Sequence, residues 1–161
     1  MLPQPCHLVA AIGMSALRDS VLRRLLAAAK KAAQASYSPY SRFAVGAAVL
    51  TDTGRIYAGC NVENASYGLC NCAERTAVFS AVADGARRVH CVAIYTPTPA
   101  PTLPCGACRQ VLHEFGPQAR VISVCDGPDR SDLTLDALLP GAFGPADLAA
   151  APARRKARVT R

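Results

Sequence analysis

The sequence predicts a single α/β domain in which helices cover a layered sheet. Three observations predict it: a length of 161 residues, segments of helical periodicity that alternate with short apolar segments, and turn sequences rich in Gly or Pro between them. A chain of this length buries one sizeable core but is too short for two ordinary domains. Strand and helix patterns that alternate along a chain are typical of layered α/β folds.

The first half of the chain predicts a helix, a hairpin and a second helix. Apolar residues recur at helical spacing from 17 to 35, with basic residues available for the solvent side. The apolar segment 43–50 is followed by a turn sequence at 52–54 that reverses the chain into 55–62, which predicts an antiparallel hairpin. The alanine-rich segment 72–83 predicts the second helix.

The second half predicts a strand-to-helix crossover and a short terminal element. An apolar strand is expected over 89–95, and the proline-rich segment 96–104 suits neither a helix nor a strand. A helix is predicted over 105–115, a strand over 120–125, and a short element over 133–139 that ends at a Pro-Gly pair. This repeated order of strand and helix supports the layered α/β class.

The net charge of +7 is concentrated at one end of the chain and argues against nucleic-acid binding. Five of the 18 basic residues lie among the last eight positions, and without them the chain is near +2. We expect residues 1–16 to be a flexible N-terminal extension, 17–149 the folded domain, and 150–161 a basic disordered tail. Within the domain, the sequence at residues 127–130 does not define where the last strand begins or ends.

The sequence predicts a cytoplasmic protein without membrane spans. A secretory signal has basic residues before its apolar segment, and the apolar patch near the start of this chain has none before it. Its longest apolar runs are broken well short of the ~20 residues that span a bilayer. In a cytoplasmic chain, eight cysteines indicate metal binding or catalysis rather than disulfides.

Four cysteines and a glutamate form the candidate chemical site. Cys105 and Cys108 form a Cys-x-x-Cys at a predicted helix start, a pattern shared by zinc sites, redox pairs and buried packing thiols. Cys70 and Cys72 lie within four residues of Glu74, at the start of another predicted helix. Together the two segments supply enough soft ligands for a tetrahedral zinc site.

The number of cysteine ligands separates two functions. If all four bind, the site is closed and the protein is a zinc-stabilised structural or interaction module. Three ligands leave an open position for water, which makes the site catalytic and gives Glu74 a role as base. Arg75, three residues after Cys72, could hydrogen-bond a thiolate, with a surface ion pair as the alternative.

Six motifs occur in order along most of the chain. They are YSRF at 40–43, VGAA at 45–48, GCNVENA at 59–65, CAERTA at 72–77, PCGACRQ at 104–110 and LLPGAF at 138–143. In identity and spacing they resemble the cytidine deaminase family, in its small-subunit form with three cysteine ligands. The resemblance covers about residues 17 to 148, so 17–149 is expected to be a catalytic domain.

The resemblance implies an enzyme with one Zn²⁺ per subunit. Cys72, Cys105 and Cys108 match the family's zinc ligands, and Glu74 matches its proton shuttle. By similarity, Glu74 takes a proton from zinc-bound water, delivers it to N3 of the cytosine ring, and later helps ammonia to leave C4. Arg75 stands where the family has an arginine that hydrogen-bonds a thiolate.

The resemblance also implies a substrate pocket, a homotetramer and a mixed five-stranded sheet between helices. Asn61 and Glu63 match residues that bind the ribose hydroxyls, and Phe43 matches a residue that lines the pyrimidine pocket. The residues expected to reach the pocket from neighbouring subunits are Ala65, Tyr67 and Phe143. The last of these is expected to stack on the base.

The predicted function is hydrolytic deamination of cytidine and 2′-deoxycytidine, in pyrimidine salvage. Asn61, Glu63 and Phe43 together favour a free nucleoside over another aminopyrimidine as the substrate, and neither nucleic acid nor a membrane is expected as a partner. The alternatives are a deaminase of another aminopyrimidine such as the blasticidin type, a deaminase of cytosine in polynucleotides, and the structural zinc module. Cys70 is expected to be a small buried residue outside the ligand set.

Overall fold

A computed structural model of the chain describes residues 18–149. The predicted N-terminal extension and the predicted basic tail lie outside these residues. The elements in chain order are α1 (Asp19–Ala33), β1 (Gly46–Thr51), β2 (Ile56–Cys60), α2 (Ala73–Ala83), β3 (Val89–Tyr95), α3 (Gly106–Phe115), β4 (Arg120–Val124), β5 (Arg130–Thr134), α4 (Leu135–Leu138) and α5 (Pro145–Ala149). A 3-10 turn at Tyr67–Leu69 precedes α2. Among the residues described, none of the helices combines the length and the apolarity that crossing a bilayer requires.

Five strands form one mixed sheet in the order β2-β1-β3-β4-β5. β1 pairs antiparallel with both β2 and β3, so that Ala48 lies opposite Ala58 and Ala93. β3 and β4 are parallel and are connected through α3, whereas β5 pairs antiparallel at the edge. This arrangement confirms the predicted fold class, a mixed five-stranded sheet layered between helices.

Helices cover both faces of the sheet because the central strands are apolar on both sides. On β1, Ala48 and Leu50 pack in the same core as the fully buried Leu25 of α1. Ala47 and Val49, which point to the opposite face, pack in the core formed with α2 and α3. All six residues of β1 are buried, as expected for a strand covered on both faces.

Two glycines bring helices into direct contact with the backbone of the hairpin. A Cβ at Gly59 of β2 would lie 2.5 Å from the Ala77 amide nitrogen and 2.8 Å from the Ala73 carbonyl oxygen of α2. A Cβ at Gly46 of β1 would lie 2.0 Å from the Ala29 carbonyl oxygen of α1. The missing side chain at Gly59 therefore allows the first turns of α2 to lie directly on the sheet.

The C-terminal part of the domain departs from the prediction. The single element expected over 133–139 is wrong, because the chain forms β5 as far as Thr134 and begins α4 at Leu135. β5 has the polar sequence RSDLT and is a partly exposed edge strand, so it lacks the apolar pattern of a buried strand. The short helix α5 and the 3-10 turn were also missed. The other elements begin and end within three residues of their predicted bounds.

Candidate active site

Three cysteine thiols converge at the N-terminal ends of α2 and α3. Cys72 immediately precedes α2, Cys105 immediately precedes α3, and Cys108 lies in the first turn of α3. All three Sγ atoms lie within 4.8 Å of one another, and those of Cys72 and Cys105 are 3.9 Å apart. Tetrahedral zinc with Zn–S bonds of ~2.3 Å places its sulfurs ~3.8 Å apart, so this donor set fits zinc.

The three thiols differ in acidity. Hydrogen bonds from Cys108 and Arg75 to the sulfur lower the pKa of Cys72 to about 5, against the opposing effect of burial. The pKa of Cys108 is raised, because its thiol donates to Cys72 and is buried. Cys72 is therefore a thiolate at neutral pH, the form that binds a metal, and the helix N-termini favour negative charge at this point.

Arg75 lies in the first turn of α2, against the thiol cluster. Its Nη2 donates to the Cys72 sulfur at 3.4 Å and to the Cys70 carbonyl oxygen at 3.1 Å. Its Nε is buried and has no hydrogen-bond partner among residues 18–149. The guanidinium thus offsets part of the negative charge that three thiolates would create.

Glu74 is the buried carboxyl group beside the thiols. It lies in the first turn of α2 and is only 4% exposed. Burial raises the pKa of Glu74, and the negative charge of Cys72 acts in the same direction. A raised pKa brings a carboxyl group nearer to the pH range in which it can both accept and donate a proton, which is what a proton shuttle requires.

Cys70 lies outside the thiol cluster. Its sulfur accepts the Asn64 amide N–H at 3.3 Å and donates to the Asn64 carbonyl oxygen at 3.6 Å. Among the residues described, the metal-ligating atoms that lie close to one another are the Sγ atoms of Cys72, Cys105 and Cys108. Cys70 is half-buried rather than fully buried as expected. The arrangement does not match the closed four-cysteine alternative.

Asn61 and Glu63 follow β2 and hold the loop that leads to Phe43. The Glu63 Oε2 atom accepts the amide N–H of Tyr40 at 2.9 Å and that of Ser41 at 3.2 Å. Hydrogen bonds from Ser41 and Tyr40 lower the pKa of Glu63, so the carboxylate is ionised at neutral pH. The Asn61 Nδ2 donates to the Phe43 carbonyl oxygen at 2.8 Å.

The apolar residues expected to contact the substrate are exposed in the single chain. Phe43, Tyr67 and Phe143 are 40%, 73% and 58% exposed, and Ala65 is exposed as well. The ring of Tyr67 meets that of Tyr40 edge to face, with centroids 5.9 Å apart. These side chains are therefore available to a ligand or to another copy of the chain.

Two polar residues of α3 hold the C-terminal segment, and sequence analysis assigned them no role. Arg109 donates to the Pro104 carbonyl oxygen at 2.7 Å and to the Leu138 carbonyl oxygen at 2.8 Å. Gln110 donates to the Phe143 carbonyl oxygen at 2.8 Å. Their position in the PCGACRQ motif was the only available signal, because such hydrogen bonds across the fold leave no local pattern.

The chain has a three-thiol metal site with a buried glutamate, at the start of two helices that pack on a mixed sheet. This combination defines the class of zinc-dependent deaminases. The model of the cytidine and deoxycytidylate deaminase zinc-binding region matches residues 19–125 of this chain. The chain belongs to the cytidine deaminase family and is an enzyme of the deaminase class.

Relatives of known sequence and structure agree with this assignment. The cytidine deaminase of Sporosarcina psychrophila is 48% identical over 129 residues, which are 79% of this chain and 94% of the relative. A cytidine deaminase of Mycobacterium tuberculosis is 48% identical over 120 residues, covering 74% of this chain and 87% of the relative. The crystal structure of the Burkholderia pseudomallei cytidine deaminase has a TM-score of 0.72 and 50% identity, and the match covers 75% of this chain and 98% of that structure.

Proposed function

We propose that this enzyme catalyses the hydrolytic deamination of cytidine and 2′-deoxycytidine to uridine and 2′-deoxyuridine, with release of ammonia. The observation that carries the proposal is the three-thiol cluster beside the buried Glu74. The names of the relatives from Sporosarcina psychrophila and Burkholderia pseudomallei support cytidine as a substrate. The reaction would serve pyrimidine salvage in the cytoplasm, where free metal-binding thiols persist.

Cys72, Cys105 and Cys108 would hold one zinc ion per subunit. When bound, zinc supplies an activated water molecule that attacks C4 of the pyrimidine ring. Three protein ligands are the number that catalytic zinc sites use. Arg75 helps to keep the Cys72 ligand deprotonated, since its Nη2 donates to the sulfur.

Glu74 moves the protons of the reaction. Its carboxylate accepts a proton from the attacking water and delivers it to N3 of the ring, which makes C4 more electrophilic. It then takes up the second proton of the same water, now the hydroxyl group on C4, and gives it to the amino group, which leaves C4 as ammonia while the oxygen remains as the new carbonyl. The raised pKa of Glu74, caused by burial, suits a residue that acts first as base and then as acid.

The nucleoside would be held by residues of more than one subunit. Asn61 and Glu63 bind the ribose hydroxyls, and Phe43 lines the pyrimidine pocket. The residues that complete the pocket of a neighbouring subunit in a homotetramer are Ala65, Tyr67 and Phe143. Phe143 stacks on the base. Support comes from the exposure of 73% for Tyr67 and 58% for Phe143, because apolar side chains of this size favour contact with a ligand or a second chain.

An ultraviolet assay with cytidine tests the proposal, with ammonia and zinc measured in parallel. The native protein should convert cytidine with one ammonia released per turnover, while Glu74→Gln should keep its zinc and lose ~10²- to 10⁴-fold in kcat. Glu114→Gln, an exposed position on α3, is the matched control and should retain native activity.

Each part of the proposal has an outcome that contradicts it. Native turnover by Glu74→Gln would exclude the proton shuttle assigned to this residue. A zinc-loaded native protein that releases no ammonia from cytidine would favour the structural zinc module. Activity on single-stranded DNA or RNA comparable to that on cytidine would favour a polynucleotide substrate.

A further inference from the structure

The carboxamide of Asn61 is almost fully occupied by its own chain. Its Oδ1 accepts the Ser36 hydroxyl at 2.6 Å and the Val45 amide N–H at 2.8 Å. Its Nδ2 donates to the Phe43 carbonyl oxygen at 2.8 Å. A carboxamide offers two donor hydrogens and two acceptor lone pairs, so these bonds leave a single N–H for any ligand.

The backbone of Asn61 holds the same loop at both ends. Its N–H donates to the Val45 carbonyl oxygen at 3.1 Å, and its carbonyl oxygen accepts the Tyr37 amide N–H at 3.1 Å. Side chain and backbone together connect Asn61 to both ends of the loop between α1 and β1. Glu63 holds the middle of the loop, so its conformation depends on these two residues that follow β2, and Asn61 is the one bonded to Phe43.

The loop contains a turn that needs such support, directly before Phe43. Arg42 has φ 56°, in the left-handed region that residues with a Cβ rarely adopt. The Arg42 N–H donates to the Ser38 carbonyl oxygen at 3.0 Å, and the Phe43 N–H donates to the Ser41 hydroxyl at 3.0 Å. A turn of this kind persists only where surrounding bonds determine it, and on the far side of Phe43 those bonds come from Asn61.

We propose that Asn61 is a positioning residue that fixes the Phe43 ring for the pyrimidine base, and that this role outweighs any contact it makes with the ribose. The inference rests on the proposed function, in which Phe43 lines the pyrimidine pocket. Truncation of Asn61 would leave the Phe43 carbonyl oxygen and the Val45 amide N–H without their partner and release the turn at Arg42. The loss of activity would then appear even with a substrate that has no ribose hydroxyl to bind.

A pair of substrates separates positioning from ribose contact. Cytidine and 2′,3′-dideoxycytidine share the base, but the second lacks both ring hydroxyls. Asn61→Ala should lower kcat/KM at least about tenfold for both, by factors that agree within about twofold. The ratio of the two losses does not depend on the fraction of folded enzyme. A loss more than about tenfold larger for cytidine would overturn the inference.

A double-mutant cycle with Phe43→Ala identifies the residue through which Asn61 acts. Measured with 2′,3′-dideoxycytidine, Asn61→Ala should add less than about twofold to the loss in Phe43→Ala, because both changes remove the same positioned ring. Additive losses would overturn the inference and leave the proposed function intact. A Phe43→Ala variant with native activity would overturn both the pocket assigned to Phe43 and the inference.

Two further variants keep the test sharp if Asn61→Ala does not fold. Asn61→Asp keeps an acceptor for Ser36 and Val45 but cannot donate to the Phe43 carbonyl oxygen, and it should show the same equal losses on the two substrates. Ser36→Ala is the matched control, because it removes one bond to Asn61 without touching Phe43, and it should lose less than about threefold. A loss in Ser36→Ala equal to that in Asn61→Asp would contradict a specific link to Phe43.

Discussion

Gly59→Ala is expected to displace α2, which carries Glu74 and begins directly after Cys72. The added Cβ would lie 2.5 Å from the Ala77 amide nitrogen and 2.8 Å from the Ala73 carbonyl oxygen, both backbone atoms of α2. Nonbonded heavy atoms approach to ~3.5 Å, so α2 has to move away from β2 by about 1 Å. This displacement would act on the helix end that holds the proposed metal ligand and proton shuttle.

The displacement sets the size of both expected effects. Overpacking of this kind lowers the free energy of unfolding by ~1–3 kcal/mol, and a backbone contact that no side-chain rotation relieves belongs at the upper end. A misplacement of about 1 Å at reacting groups costs on the order of 100-fold in rate. We therefore expect Gly59→Ala to lose about 2–3 kcal/mol of stability and about 100-fold in kcat per zinc-bound molecule.

The assay compares Gly59→Ala with Gly46→Ala. A Cβ at Gly46 would lie 2.0 Å from the Ala29 carbonyl oxygen of α1, on the opposite face of the sheet, so its loss of stability should be at least as large. Urea unfolding measures stability, and the initial rate with cytidine, divided by bound zinc, measures kcat. Equal losses of kcat in the two variants, or native kcat in Gly59→Ala, would refute the reasoning that Gly59 positions the site.

Two other predictions concern the thiols and an edge-strand ion pair. Cys70→Ser should retain zinc after dialysis, because the Cys70 sulfur contacts Asn64. Cys105→Ser should lose its zinc, because Cys105 is one of the three clustered thiols. Loss of zinc in Cys70→Ser would instead favour the four-cysteine site. Asp132→Asn removes the negative charge and one of the two hydrogen bonds, of 2.7 and 2.6 Å, that Arg120 donates to the carboxylate, and it should lower the free energy of unfolding by ~1 kcal/mol at pH 7. Arg120 lowers the pKa of Asp132, so this stabilisation is present above its unfolded value of ~3.9 and disappears as the pH falls through the folded value. Urea unfolding of the native protein and of Asp132→Asn at several pH values checks this pH dependence. A difference in their free energies of unfolding that persists below both pKa values of Asp132 would contradict it.

Prediction of the elements succeeded where burial imposes a strong local pattern. The strand 89–95 was predicted residue for residue. β3 lies at the centre of the sheet and its last five residues are all buried, which gives it a continuous apolar pattern. β5 was missed because an edge strand needs no apolar alternation, and Asp132 is satisfied by an ion pair with Arg120 on the neighbouring strand β4. A local sequence pattern indicates which residues are buried. It indicates a paired strand only where that strand is also buried.

The candidate site was only partly accessible from the sequence. The motifs indicated the family and its zinc chemistry, and the comparisons confirm the family. The roles of Asn61, Glu63 and Phe43 stay predictions. The hydrogen bonds by which Asn61 holds Phe43 join residues 18 positions apart, and no spacing rule could have found them.

The sequence by itself determined the order of most helices and strands, the family, and the supply of thiols and a carboxyl group suited to a zinc deaminase. Only the tertiary structure decided which thiols meet. Cys72 and Cys105 are 33 positions apart in the chain, yet their sulfurs lie 3.9 Å apart, because each precedes a helix that packs on the same face of the sheet. Cys70, two residues from Cys72, is directed to Asn64 instead. Ligand sets depend on distances between segments, which strand register and helix packing determine and local sequence patterns do not.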